Sequence, residues 1–340
     1  MMKCWRVHLC MAVIIAALVP AVMLAQQAPV KSYTPPKTPW GDPDLQGMWP
    51  STDMLGVPLQ RPDNLGERAF LTDEEYAQRE AQAQRTAAAD REDFVKPDAK
   101  AGINPPSHWA ERGRPQRQAS LIVDPPNGKM PPLTAEAQRR EEARAAASKT
   151  RGPHDSWEDH PFYDRCISRG ILGSIIPHIY NNGVQIIQQP GYVAVRYEMI
   201  HETRIIPLDG RPHAGSSIRS YMGDARGHWE GNTLVVETTN FLGDRNGIGV
   251  NGVGTPYSAS LRVIERLTRM DSTTLNYEAT IDDPKTWTRP WKIFMPLKSD
   301  PDYQLLEYAC HEGNYALADI LSGARAAEKA DEEAAKKQSK

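Results

Sequence analysis

The stretch Val184-Gln-Ile-Ile-Gln-Gln-Pro-Gly-Tyr-Val-Ala-Val-Arg-Tyr197 sets the fold class. From here on, apolar residues fall on every second position, the period of a half-buried strand. Gln189-Pro-Gly191 supplies a turn between two such runs. The same pattern predicts strands at Val184–Gln188, Tyr192–Tyr197, His201–Ile206, Ser217–Gly223, Thr233–Thr239, Ser260–Met270, Thr274–Ile281, Trp291–Leu297 and Gln304–Cys310. Leu208-Asp-Gly210, Glu230-Gly-Asn232, Asp271-Ser272 and Asp282-Asp-Pro284 separate them. Strands at short spacing with no helix between them predict a mainly β domain, an antiparallel barrel or sandwich. Their similar lengths favour an up-and-down, lipocalin-like barrel of about nine strands, able to hold one ligand in its mouth or interior.

Upstream of this domain the chain is irregular. Pro29, Pro35, Pro36, Pro39, Pro43, Pro50, Pro58 and Pro62 favour extended backbone without regular pairing. Within that arm, Pro43-Asp-Leu-Gln-Gly-Met-Trp49 predicts an anchor on the main body through Leu45 and Trp49. Thr72-Asp-Glu-Glu75 is a capping box that opens a helix ending near Asp93, and Thr134 caps a second, Ala135 to Ser148. Neither has an apolar stripe wide enough for a membrane surface, so both are surface helices. The division is therefore 1–25 export signal, 26–150 arm with two helices, 151–323 β domain and 324–340 charged tail, frayed or disordered.

Lys3 and Arg6, the apolar run from Met11 to Val19 and Ala25 form the three parts of a secretory signal. An uncleaved anchor is the alternative, although the run is short for a spanning helix and contains Pro20. A periplasmic or secreted location follows. Cleavage would remove Cys4 and Cys10 and leave Cys166 and Cys310. An even pair in an oxidising compartment points to one disulfide, with two separate buried thiols as the alternative. Such a bridge would contribute on the order of 4–5 kcal/mol in the chain-entropy account.

With 40 Lys+Arg against 43 Asp+Glu in 340 residues, no basic footprint for nucleic acid exists. The sequence contains no G-x-S-x-G elbow and no P-loop, and no G-x-G-x-x-G opens a helix, so a dinucleotide fold is not expected. Histidines form no H-x-H or H-E-x-x-H pattern, so no metal and no cofactor is expected. Convergence of His201, His213 and His311 with Glu312 is the open alternative.

Polar residues cluster where a plain barrel has no need of them: Arg165-Cys-Ile-Ser-Arg169, Tyr180-Asn-Asn182, His201-Glu-Thr-Arg204, Asp209-Gly-Arg-Pro-His213, Gly223 to Gly231, Asp282 to Trp291 and Cys310-His-Glu-Gly-Asn314. The strings Pro43-Asp-Leu-Gln-Gly47, Ile206-Pro-Leu-Asp-Gly-Arg-Pro-His213, Trp229-Glu-Gly-Asn-Thr-Leu-Val-Val236, Thr286-Trp-Thr-Arg-Pro-Trp291 and Glu307-Tyr-Ala-Cys-His-Glu-Gly-Asn314 resemble a family of exported bacterial proteins of unassigned function. The resemblance implies export and a shared β-rich fold, and no activity.

The chemistry is therefore read from the residues. A bridge from Cys166 to Cys310 would bring Arg165 and Arg169 towards His311 and Glu312. His311 or His201 is the candidate base, and Glu312 or Asp224 the partner acid. Arg165, Arg169 or Arg204 would hold a substrate carboxylate or an enolate. Tyr180, Asn182, Trp287 and Trp291 are further candidate contacts. For each group a structural role stands as the alternative: an ion-pair network, a Gly-rich hairpin around Asp224, and barrel-end packing for the tryptophans. The expected function is proton-transfer chemistry of lyase, isomerase or hydratase type on a small molecule in a barrel pocket. The alternatives are a non-catalytic envelope ligand-binding barrel and an interaction module docking through the proline-rich arm. Neither nucleic acid nor a stably spanned membrane is an expected partner.

Overall fold

Burial alternates along the strands as the period-two pattern requires, and it does so in two sheets. The computed structural model describes residues 33–95, 109–243, 247–249 and 252–338. All elements lie in the unit Thr34–Lys340; the segment 1–25 lies outside the described residues. In chain order the strands are β1 (Gly47–Met48), β2 (Ile122–Asp124), β3 (Val184–Gln189), β4 (Tyr192–Tyr197), β5 (Thr203–Pro207), β6 (Asp224–Glu230), β7 (Thr233–Thr239), β8 (Gly247–Ile248), β9 (Thr255–Pro256), β10 (Arg262–Arg269), β11 (Thr274–Asp282) and β12 (Trp291–Lys298). The helices are α1 (Asp73–Val95), α2 (Ala135–Ser148), α3 (Gly170–Ile175) and α4 (Ala316–Gln338).

The smaller sheet has the order β1-β3-β4-β5 and the larger β2-β12-β11-β10-β7-β6; β8 and β9 form a ribbon of their own. All pairings are antiparallel. The inner face of the larger sheet runs in register through Leu267, Tyr277 and Met295, and through Glu265, Ala279 and Ile293. It faces Ile186, Val193, Val195, Tyr197, Arg204 and Ile206 of the smaller sheet across one core. Leu45 and Trp49 are buried in that core, as the arm's anchor pattern predicts, and β1 adds a strand beside β3.

Both sheets are open among the described residues, so the closed barrel is not what the ladders form. The unjoined edges are β1 and β5 of the smaller sheet and β2 and β6 of the larger, and β5 and β6 lie side by side. There, a Cβ on Gly227 would meet the side chains of Ile206 and Leu208 at 2.8 and 2.7 Å, so side chains of the β5 end press on β6. Two expected strands are absent. Ser217–Gly223 contributes only a parallel bridge from Ser220 to Phe241. Gln304–Cys310 has no ladder, because side chains take up its backbone groups: the Leu306 N–H donates to Glu198, and the Tyr308 carbonyl accepts from His201. The helices match their caps. Thr72 and Glu75 bond reciprocally, and Thr134 accepts from the Ala137 N–H. The tail is helical from Ala316 rather than frayed from 324. No helix among the described residues is long and apolar enough to cross a membrane.

Candidate functional site

Four segments meet at the end of the smaller sheet where β3 begins, β4 ends and β5 begins. Residues 160–170 carry Tyr163, Cys166 and Arg169; residues 178–182 carry His178 and Tyr180. Residues 198–202 carry His201 and Glu202, and the chain after Tyr303 carries Tyr308 and Cys310. The Cys166–Cys310 disulfide, 144 residues apart in sequence, ties the first segment to the last. The expected bridge is therefore present.

The backbone here is unusual. Among the described residues, five non-glycine positions have φ in the left-handed region: Cys166, Asn181, Ile200, His201 and Asn240. Four of the five belong to these segments. A β-branched residue such as Ile200 at φ 58° is a steric outlier that its surroundings must hold in place. Asn182 ties the segment beside it. It is buried, accepts the His178 N–H at 2.6 Å and donates to Glu111. Tyr303 has its hydroxyl 2.8 Å from Glu111 and 2.6 Å from Glu198.

At the centre stand three phenols. The Tyr163 hydroxyl is 3.4 Å from those of Tyr180 and of Tyr308. An O–H···O bond is normally about 2.7–2.8 Å long, so these hydroxyls satisfy each other only loosely. The Arg169 guanidinium, buried at 2% exposure, lies 5.4 Å from the centre of the Tyr163 ring. Burial pushes Tyr163 and Tyr180 up to about 12 and raises Tyr308. All three are therefore neutral O–H donors at physiological pH. Burial also lowers Arg169, to about 10, which leaves it a cation. His178, next to the Tyr180 ring, is lowered to about 4 by burial and by the Arg169 charge. Glu202 is raised by burial; its carboxylate accepts from the Arg169 backbone N–H at 3.4 Å.

His201 lies at the edge of this group, exposed, with Nδ1 2.9 Å from the Tyr308 carbonyl oxygen. A carbonyl only accepts, so Nδ1 donates, and Nε2 of the neutral ring is left as a proton acceptor. A cleft of about 370 Å³ opens beside the disulfide, lined by Tyr163, Tyr308, Asp164, Glu307, Asn314 and Ile320 among others. A larger cleft of about 650 Å³ runs along α1, but its charged groups are engaged elsewhere. Arg79 donates to the carbonyls of Gln116 and Gln118, and Glu75 pairs with Arg68.

Of the residues singled out in the sequence, Arg169, Tyr180, Asn182 and His201 come together here with the two cysteines. The others lie elsewhere. His311 and Glu312 are exposed on the turn after the bridge, whereas Arg169 is buried. Arg165 packs on Trp157 and Phe162, 4.4 and 5.3 Å from their ring centres. Arg204 is not a ligand contact: it is sealed in the core by Glu265, Tyr197 and Thr238. Trp287 and Trp291 are buried edge to face, 5.5 Å apart, as core. Asp224 accepts from His213 Nδ1, the Ala214 N–H and Arg226, and so fastens the loop before β6. His201, His213 and His311 do not converge, and no metal-binding group of three or more His, Cys, Asp or Glu exists among the described residues.

Sequence reasoning missed Tyr163, Tyr308, His178 and Glu202. Three of them had a signal, since Tyr163 and Tyr308 precede the two cysteines by three and two positions and Glu202 adjoins His201. No family model matches the chain, and no curated protein or solved structure matches it.

Proposed function

We propose that this chain is an exported enzyme that moves a proton on a small organic anion, lyase or isomerase in type. The observation that carries this is the loosely satisfied phenol cluster beside a buried guanidinium, facing a cleft. A carboxylate or enolate oxygen would accept from the phenols, in the field of Arg169. His201, its tautomer fixed by the Tyr308 carbonyl, would take the proton on Nε2. Glu202, which burial makes a stronger proton holder than an ordinary carboxylate, is a second candidate group for the proton. The sequence pattern over 1–25 and the disulfide support export. The ligand would sit at the loop end of the smaller sheet rather than inside a barrel.

The test is a binding and turnover screen with small organic acids. Tyr163→Phe and Tyr308→Phe should each weaken binding by about 10- to 100-fold, the worth of a hydrogen bond to a charged group. His201→Gln should keep binding and lose turnover by about 100-fold or more. Full turnover in His201→Gln removes that residue's role. Equal binding in the phenylalanine variants removes the site. The exposure of His311 and Glu312 favours a second reading, a non-catalytic envelope binding protein. It predicts the same binding losses with no turnover for any ligand.

A further inference from the structure

We propose that the ligand of this cleft is a zwitterion of the α-amino acid class; this rests on the anion site above. The two phenols that line the cleft each have an acidic chain neighbour that lines it too, Asp164 beside Tyr163 and Glu307 beside Tyr308. A simple anion approaching the phenols would pass two carboxylates of its own sign, which opposes entry. A molecule that also carries an ammonium group turns that opposition into attraction. Its carboxylate takes the phenol O–H groups in the field of Arg169, and its ammonium takes Asp164 and Glu307. Asp164 has capacity left for this. His160 Nδ1 stands 3.5 Å from its Oδ2, and a carboxylate has several acceptor positions. Ala309 and Ile320 give the cleft an apolar wall, and about 370 Å³ is room for a single side chain as large as an aromatic ring.

The experiment is calorimetric titration of the full chain with matched probes. Phenylalanine carries both charges, 3-phenylpropanoate lacks the amine, and 2-phenylethylamine lacks the carboxylate. Alanine and propanoate repeat the comparison without the ring. The amino acid should bind about tenfold more tightly than its desamino partner. In the doubly substituted Asp164→Asn/Glu307→Gln chain that advantage should vanish, with binding of the desamino acid kept or improved. Tyr308→Phe should weaken both acids. The near-ultraviolet circular dichroism of each variant reports that the fold is intact. Equal affinity for phenylalanine and 3-phenylpropanoate in the native chain, unchanged by the double substitution, overturns the zwitterion and leaves the anion site standing. Failure of every acid to bind overturns both.

Discussion

Two buried arginines face opposite surroundings in this molecule. Arg204 lies between the sheets, where both terminal nitrogens donate to the Glu265 carboxylate, at 2.9 and 2.6 Å, and also to Tyr197 and Thr238. Burial by itself would lower Arg204, and the Glu265 charge outweighs it, so its affinity for its proton rises. Arg169 lies among phenols at the loop end, and there burial prevails and lowers it. The core arginine belongs to a closed bidentate network, whereas the loop arginine adds a positive field to donors that bind each other weakly. The first arrangement gives a fixed core. The second leaves donors available to a ligand.

The largest effect should come from breaking the closed network. Glu265→Ala or Arg204→Ala leaves one buried charge unanswered and should cost about 3–5 kcal/mol in urea unfolding. Replacing both, as Arg204→Met with Glu265→Leu, should recover most of that. If the single variants lose under about 1 kcal/mol, the pair is not the closed unit described here. Next is the tie that assembles the loop site. Cys166→Ala with Cys310→Ala should cost about 2–5 kcal/mol in the same assay. It should also abolish the binding that depends on Tyr163 and Tyr308, since these approach from opposite sides of the bridge.

The smallest effect is on pH dependence. His178 is lowered to about 4 in the folded chain from an ordinary value of 6.5. As pH falls, the unfolded chain therefore takes up this proton first. Stability should decline from about pH 6.5 to about pH 4 and then level off, with no contribution from this group above that window. In His178→Gln this part of the slope should be missing. A variant that keeps the native slope would remove His178 from the buried surroundings of Arg169.

How legible all this was in the sequence depended on the kind of interaction. β3, β4, β10, β11 and β12 could be read because each shows the core about one side chain in two, as with Val263, Glu265 and Leu267 of β10. The caps of α1 and α2 could be read because they are contacts three residues apart. Gln304–Cys310 resembled a strand by composition, but no partner strand runs beside it, and side chains from distant segments hold it instead. Arg204 and Arg169 look alike in sequence, each in a short polar cluster. Only the packing of one sheet on the other, which brings Glu265 of β10 to Arg204 of β5, tells them apart.

By itself the sequence determined the strand-rich class, the two capped helices, the anchoring of Leu45 and Trp49, and a cysteine pair suited to a bridge. Periodicity, caps and side-chain chemistry are properties of neighbours in the chain. Only the tertiary structure decided that the sheets stay open, that Arg204, Trp287 and Trp291 are core, and that Tyr163, Tyr180, Tyr308 and Arg169 share one place. Those outcomes depend on contacts between residues far apart in sequence, such as Tyr163 and Tyr308, which are 145 positions apart. Such distances carry no local pattern; they are fixed when the sheets pack and the disulfide closes.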